Sequence, residues 1–190
     1  AAKRFLVHEK IVDEFVAKFK VAIQNLKTGN PLDKETQIGS LARVDLAEEL
    51  ELQVQKSIQM GAKLIVGGNR KEAFYEPTIL TNVTTEMPVF KEETFGPVAA
   101  IITFKTLEEA IELSNQSEFG LGVSIFTQDI DFIKTKISAF NEGAVFINEM
   151  VKSDPRLPFG GIKKSGYGRE LAEDGIKEFV NVKTVVINTF

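Results

Sequence analysis

Two adjacent acids, Glu92 and Glu93, open the segment "EETFGPV", which leads through Phe95 into the apolar run "VAAIITF". A carboxylate at the entrance of a strand can accept hydrogen bonds from two ribose hydroxyls, and a neighbouring ring can pack against a flat heterocycle. Adjacent acids are also common on a solvated surface. Local chemistry therefore leaves both interpretations open.

A second candidate is the segment "NEMVKSDPRLPFGGIKKSGYGRE", which contains four glycines and two prolines. Phe159 precedes Gly160 and Gly161, so an aromatic side chain stands on a backbone that can approach a ligand closely. Such a ring could line a substrate tunnel. The alternative is a tight turn with Phe159 packed into the core.

Other chemistries find little support. His8, the single histidine, stands in a polar segment without a serine or cysteine nucleophile beside it, which favours a surface position. The absence of cysteine excludes a disulfide framework, a zinc-thiolate site and a thiol nucleophile within these residues. Neither "GGNR" nor "GYGRE" makes a phosphate-binding loop, and the G-x-G-x-x-G pattern is absent.

The composition is that of a folded protein, with 43% hydrophobic and 26% charged residues. The net charge of −4 and the scattered lysines and arginines argue against nucleic acid and anionic membranes as partners. The sequence shows neither a signal peptide nor an apolar run of the ~20 residues that span a membrane. We therefore expect a cytoplasmic protein.

The hydrophobic periodicity predicts an α/β fold. Helical spacing covers residues 11–26 and 44–60, and short apolar strands follow at "AKLIVGG" and "YEPTILTNV". From residue 98 onward the chain alternates strand and helix: "VAAIITF", "TLEEAIELSN" with Thr106 as N-cap, "GLGVSIFT", "QDIDFIKTKISAF" and "GAVFIN". This alternation predicts a parallel, doubly wound sheet with helices on both faces.

Three further expectations concern the position of a ligand site, the end of the chain and the domain bounds. Ligands of open α/β sheets bind at the carboxyl ends of strands, so the loops after "GVSIFT" and "GAVFIN" are the first places to look. The chain ends in "VNVKTVVINTF", which is typical of a strand that pairs with a partner subunit. We expect an α/β domain over residues 1–178 and an oligomerisation strand over residues 179–190.

The segments "AAKRFLV", "KEETFGPV" and "LPFGGIKKSGYGRE", in this order and at these distances, resemble the C-terminal portion of NAD(P)-dependent aldehyde dehydrogenases. "YEPTIL", "SNQSEFGLGVSIFT" and "GAVFIN" extend the resemblance to essentially all 190 residues. The segments "AAKRF" and "MVKSDPRLPFGGIKKSGYGREL" are most similar to those of the bacterial succinate-semialdehyde dehydrogenase branch. The resemblance implies a mechanism in which a cysteine thiolate attacks the aldehyde, hydride passes to the nicotinamide, and a glutamate activates the hydrolytic water.

The resemblance also implies roles for individual residues. Glu93 matches the acid that holds the nicotinamide-side ribose of NAD or NADP, and Phe95 matches the ring beside the nicotinamide. Phe159 matches an aromatic residue of the substrate tunnel, and Ser153 matches a hydroxyl that binds the far carboxylate of the substrate. Arg156 has no matching role, so a surface ion pair is expected. The last strand matches the arm through which these enzymes oligomerise.

In the family, the nucleophile, the general base and the dinucleotide-binding half precede the stretch that matches Ala1. The resemblance therefore implies a catalytic domain without its cysteine, inactive alone, with no catalytic residue and no metal site. Two alternatives remain: a non-catalytic assembly module, and a related acyl-phosphate or CoA-dependent reductase.

Overall fold

The computed structural model describes residues 2–189, and the chain forms two compact units, residues 1–114 and 115–190. The elements up to the end of the first unit are β1 Arg4–His8, α1 Val12–Gln24, α2 Val44–Gln59, β2 Lys63–Val66, β3 Arg70–Lys71, β4 Phe74–Tyr75, β5 Thr78–Thr81, α3 Pro88–Lys91, β6 Val98–Phe104 and α4 Leu107–Asn115. The second unit contains β7 Phe119–Gly120, β8 Val123–Ile125, α5 Ile130–Lys134, a 3₁₀ turn Ile137–Ala139, β9 Val145–Ile147, β10 Ile162–Lys163 and α6 Ala172–Lys177.

A four-stranded sheet organises the first unit, in the order β1-β6-β5-β2. Strands β1 and β5 run parallel to β6, with Arg4 opposite Ala100 and Thr78 opposite Val98, and β2 is antiparallel to β5. The β6 strand is buried over residues 98–102. Its nearly unbroken apolar sequence therefore belongs to an inner strand that is covered on both faces, as predicted.

Successive side chains of β6 point into two separate cores. Ala100 clusters with Leu50 and Val54 of α2, whereas Ile101 clusters with Phe15 and Phe19 of α1. The alternation follows from the two-residue period of a strand. Helices therefore cover both faces of this sheet, and the α/β class is confirmed.

The strands predicted from residue 98 onward do not all join one sheet. Strands β8 and β9 pair in parallel, but they form a two-stranded sheet of their own. Both edges of β6 are occupied, by β5 on one side and by β1 on the other. No local sequence pattern predicts β1, because the five residues "RFLVH" become a strand only through pairing with a segment about 96 positions away.

Helix ends follow local sequence rules. The backbone N–H of Glu109 donates to Thr106 Oγ1 at 3.2 Å, and Glu109 Oε2 accepts from the N–H of Lys105 at 2.7 Å. The first bond makes Thr106 the N-cap of α4, as predicted, and the second is a capping-box-like bond to the residue that precedes the cap. Asp129 caps α5 by accepting from the N–H of Phe132 at 3.1 Å. Among residues 2–189, no helix combines the length and apolar character needed to cross a bilayer.

The C-terminal segment has no regular secondary structure over residues 181–189. Its apolar side chains are exposed: Val182 is 87% accessible and Ile187 is 81% accessible. A strand needs a hydrogen-bonded neighbour, and within the described part of the single chain this segment has none. The strand predicted for residues 179–190 is thus absent from the monomer, and Phe190 lies outside the described residues. Its pairing with another subunit stays a prediction.

Candidate functional site

The two adjacent acids have different surroundings. Gln53, a buried residue of α2, donates through Nε2 to Glu92 Oε2 at 2.9 Å and to the Glu93 backbone oxygen at 3.4 Å. Glu92 is thereby tied to the helix. The Glu93 carboxylate is exposed and makes no hydrogen bond within residues 2–189. Of the pair, Glu93 is therefore the one available to a ligand.

Phe95 presents an exposed aromatic ring next to this carboxylate. Its side chain is 67% accessible, although a ring of this size is usually buried. An open cleft of about 400 Å³ lies beside it, lined by Lys3, residues 37–41 and Phe95–Pro97. The ring therefore has free space for a flat group next to it.

Lys3 contacts the peptide between Glu93 and Phe95. Its Nζ donates to the Thr94 backbone oxygen at 2.6 Å and lies 4.1 Å from the centroid of the Phe95 ring. Partial burial lowers the pKa of Lys3, the nearby Glu93 carboxylate acts in the opposite direction, and Arg4 adds to the lowering.

Gly96 allows the same loop to press against α2. A Cβ atom at position 96 would lie 2.4 Å from Leu50 Cδ2, so a side chain there would displace Leu50 or the loop. The following Pro97 accepts a hydrogen bond at 2.8 Å from the N–H of Thr78 at the start of β5. The Gly-Pro step is thus the point where the loop enters the sheet.

In the second unit, Asn148 joins the loops at the carboxyl ends of β8 and β9. Its N–H donates to the Ile125 oxygen, and its side chain exchanges two hydrogen bonds of 2.8 Å with the Thr127 backbone. The N–H of Val151 then donates to Ser124 Oγ at 3.0 Å. Ser153 follows two residues later, exposed, so this loop starts from the edge where the sequence predicted a site.

Arg156 forms the expected surface ion pair. Its guanidinium donates to both carboxylate oxygens of Asp154, at 2.9 and 2.7 Å, and its backbone N–H donates to Oδ1 at 3.0 Å. These hydrogen bonds hold the pKa of Asp154 well below its ordinary value. Both charges of the pair are neutralised beside Ser153.

Phe159 is half-buried and lies on a short antiparallel bridge with Glu170, with both hydrogen bonds at 2.8 Å. We expected Gly160 and Gly161 to let the backbone approach a ligand. Instead, a Cβ at Gly160 would lie 2.6 Å from the Gly168 oxygen, and one at Gly161 would lie 2.4 Å from Ser165 Cβ. The position that a side chain at either glycine would occupy is filled by the chain itself, which accounts for both glycines. The approach of a ligand to this backbone stays a prediction. The side chain of Phe159 is partly accessible, which leaves its proposed tunnel role a prediction.

His8 ends β1, where its Nδ1 accepts from the N–H of Lys10 at 3.1 Å and its ring packs edge-on against Phe104 with centroids 5.4 Å apart. These contacts are structural. Among residues 2–189, no three His, Cys, Asp or Glu side chains come together as metal ligands. Three residues of the candidate site have no signal in the sequence, Lys3, Gln53 and Asn148, because their contacts are with neighbours distant in sequence.

Comparison with known proteins decides the family. The model of the aldehyde dehydrogenase family matches residues 1–185. The chain belongs to the aldehyde dehydrogenase family. This aldehyde dehydrogenase chain is 48% identical over 188 residues to succinate semialdehyde dehydrogenase [NAD(P)+] of Escherichia coli K12, covering 97% of the chain and 41% of that relative. The chain thus spans about two fifths of the length of the curated relatives it matches.

Solved structures of the family superpose closely on this aldehyde dehydrogenase chain. Glyceraldehyde-3-phosphate dehydrogenase of Methanocaldococcus jannaschii, complexed with NADP, has a TM-score of 0.93 at 40% identity, covering 99% of this chain and 41% of its own. An aldehyde dehydrogenase of Physcomitrella patens in complex with the reaction product succinate has a TM-score of 0.88 at 34% identity, covering 92% and 37%. The α/β fold described above is therefore that of the family.

Proposed function

We propose that this chain is the catalytic-domain portion of a cytoplasmic enzyme that oxidises succinate semialdehyde to succinate with NAD or NADP. The observation that carries the proposal is the 48% identity, over nearly the whole chain, to a succinate semialdehyde dehydrogenase. Glu93, Phe95, Ser153 and Phe159 are the residues of this chain to which we assign binding roles.

The residues of the 92–96 loop fit a nicotinamide cofactor. When bound, the cofactor accepts the hydride of the substrate. The Glu93 carboxylate, exposed and without a hydrogen-bond donor among the described residues, would accept hydrogen bonds from both hydroxyls of a ribose. Phe95, exposed beside an open cleft, would pack against the flat nicotinamide.

The loop after β9 fits the substrate. The exposed Ser153 hydroxyl would donate to the far carboxylate of succinate semialdehyde, and Phe159 would line the path of its apolar carbons. Arg156 is assigned no part in this, because its guanidinium already pairs with the Asp154 carboxylate through two hydrogen bonds. The relative from Physcomitrella patens whose structure contains succinate supports a dicarboxylate product in this family.

The remaining chemistry requires residues outside this sequence. The covalent step needs a thiolate, and none of the 190 residues is a cysteine. Within the functional assembly, residues 1–178 would supply the sites above and residues 179–190 would pair with another subunit.

A second candidate is a non-catalytic assembly module. The exposed apolar side chains of the last segment, among them Val182, Val186 and Ile187, favour association with another copy or with a longer subunit. The coding sequence upstream of Ala1 separates the two candidates. A cysteine motif preceded by a nucleotide-binding half supports the enzyme, and a start codon at that point supports the module.

The substrate assignment is tested on the full-length protein by following NAD(P)H formation with succinate semialdehyde and with acetaldehyde. We expect a clear preference for succinate semialdehyde. Ser153→Ala should lower kcat/KM for succinate semialdehyde about tenfold, the loss expected for one hydrogen bond to a charged group, and should leave kcat/KM for acetaldehyde within about twofold. Equal preference in the unmodified enzyme would remove the role given to Ser153.

A further inference from the structure

The peptide from Glu93 to Phe95 has no secondary structure of its own to fix it. Its flanks are anchored, because the Glu92 N–H donates to the Pro88 oxygen and the Thr78 N–H donates to the Pro97 oxygen, both at 2.8 Å. Over residues 93–95, the hydrogen bonds to the backbone that the structure shows come from side chains: the Lys3 ammonium at Thr94 and the weaker Gln53 amide at Glu93. The next backbone hydrogen bond follows at Gly96, whose oxygen accepts from the N–H of Val98 at 2.9 Å. The direction of the central peptide therefore depends on Lys3.

Strand pairing places Lys3 at this position. The residue immediately precedes β1, and Arg4, the first residue of β1, lies opposite Ala100 of β6. The loop lies immediately before β6 in sequence, so Lys3, at the start of β1, lies beside the loop and its side chain contacts Thr94. The neighbouring Arg4 binds the end of α3, where its guanidinium donates to the Phe90 oxygen at 2.9 and 2.7 Å. Two consecutive cations thus hold the segment that runs from Phe90 to Phe95.

Lys3 touches the loop in two ways that one neutral side chain cannot replace. Its ammonium donates to the Thr94 oxygen, and the same ammonium lies over the Phe95 ring. A charge-assisted hydrogen bond and a cation–π contact both need the positive charge. The Thr94 hydroxyl adds no hydrogen bond within the described residues, although it is buried. The carbonyl of Thr94 and the ring of Phe95 are therefore fixed relative to each other through one atom.

We propose that Lys3 is a positioning residue that sets the Glu93 carboxylate and the Phe95 ring for the nicotinamide half of the cofactor. The inference rests on the proposed function of this loop. Lys3 has no contact with the cofactor in this account; it acts through the Thr94 peptide. Loss of its charge should release the loop between its two anchored flanks, so the cofactor would have to restore the order of the loop when it binds.

The experiment uses the full-length protein and measures the dissociation constant of NADH and NADPH from nicotinamide fluorescence, together with KM, kcat and the thermal midpoint. Lys3→Met should weaken binding about tenfold, because cofactor binding then bears the cost of ordering the released loop and its side chains. Lys3→Arg, which keeps the cation, should bind within about threefold of the unmodified enzyme. Lys10→Met is the matched control, because Lys10 is exposed and its side chain makes no hydrogen bond among the described residues.

A positioning role predicts a change in cofactor affinity and cofactor KM without a comparable change in thermal midpoint, and recovery with arginine. Equal affinity in Lys3→Met and the unmodified enzyme overturns the proposal. So does a failure of Lys3→Arg to recover binding, which also decides the matter if Lys3→Met does not fold. If the unmodified full-length protein binds neither NADH nor NADPH, the proposed function itself fails, and that outcome is distinct from the others.

Discussion

The 190-residue chain alone is expected to form no NAD(P)H from succinate semialdehyde, at any concentration of cofactor. Family membership alone would suggest the opposite. Oxidation in the proposed mechanism begins with a covalent bond between a thiolate and the aldehyde carbon, and this chain contains no cysteine. Loss of a covalent nucleophile costs on the order of 10⁶ in kcat. This is the largest effect on activity that the sequence predicts.

The measurement is a progress curve at 340 nm with purified chain, both cofactors and succinate semialdehyde. The full-length protein, assayed in parallel, should turn over, and its activity shows that substrate and cofactor are competent. Turnover by the homogeneous 190-residue chain would show that the nucleophile is another residue, and the thiolate mechanism would have to be abandoned for this protein.

Replacing Gly143 with alanine is expected to give the largest loss of stability. A Cβ atom at this position would lie 2.0 Å from the Gly160 oxygen and 3.0 Å from its carbonyl carbon. Both atoms belong to backbone, which cannot rotate out of the way as a side chain can. Overpacking of this kind costs about 1 to 3 kcal/mol and more where relaxation is blocked, so we expect a loss above about 3 kcal/mol. The turn that carries Phe159 should be displaced or unfolded.

Gly122→Ala provides the matched control in the same unit. Its new Cβ would lie 2.8 and 3.0 Å from the two γ-carbons of Val151 and 3.3 Å from the Ala144 oxygen. The closest atoms therefore belong to a side chain, and the backbone contact is much looser than that at Gly143. Hydrogen exchange followed by mass spectrometry should therefore show faster exchange for peptides covering residues 143–168 in Gly143→Ala, with a smaller change in Gly122→Ala. Equal protection in the two variants would mean that the close approach of Gly143 and Gly160 is not needed for the fold.

Elements whose signals are local were predictable from sequence. The β6 strand is apolar at successive positions because both of its faces are covered, and Thr106 and Asp129 cap helices through hydrogen bonds within three residues. The β1 strand was not predictable in this way. Its five residues carry no alternating pattern, and they become a strand by pairing with β6, from which most of the first unit separates them in sequence.

The candidate site likewise combines features that the local sequence predicts with features that depend on distant residues. The sequence identifies "EETFGPV" as unusual, but it cannot separate Glu92 from Glu93, because Gln53, which ties down Glu92, lies 39 residues away. The glycines after Phe159 indicate correctly that a backbone must be approached closely. The group that approaches is set by the tertiary structure, and here it is the chain's own backbone and Ser165. No ligand is needed to explain the two glycines. Resemblance to a family selected Glu93, and the structure shows why its carboxylate is free.

The most direct test of this account is the cofactor KM of the full-length protein with Glu93→Gln, compared with Glu92→Gln. Both changes remove one carboxylate charge from the same loop, and Glu92→Gln keeps an oxygen that can accept from Gln53. If Glu93 holds the ribose hydroxyls, Glu93→Gln should raise the KM for NAD(P)+ about tenfold, while Glu92→Gln should stay within about twofold of the unmodified enzyme. Equal effects, or a larger effect at Glu92, would contradict the assignment of this loop as the cofactor site.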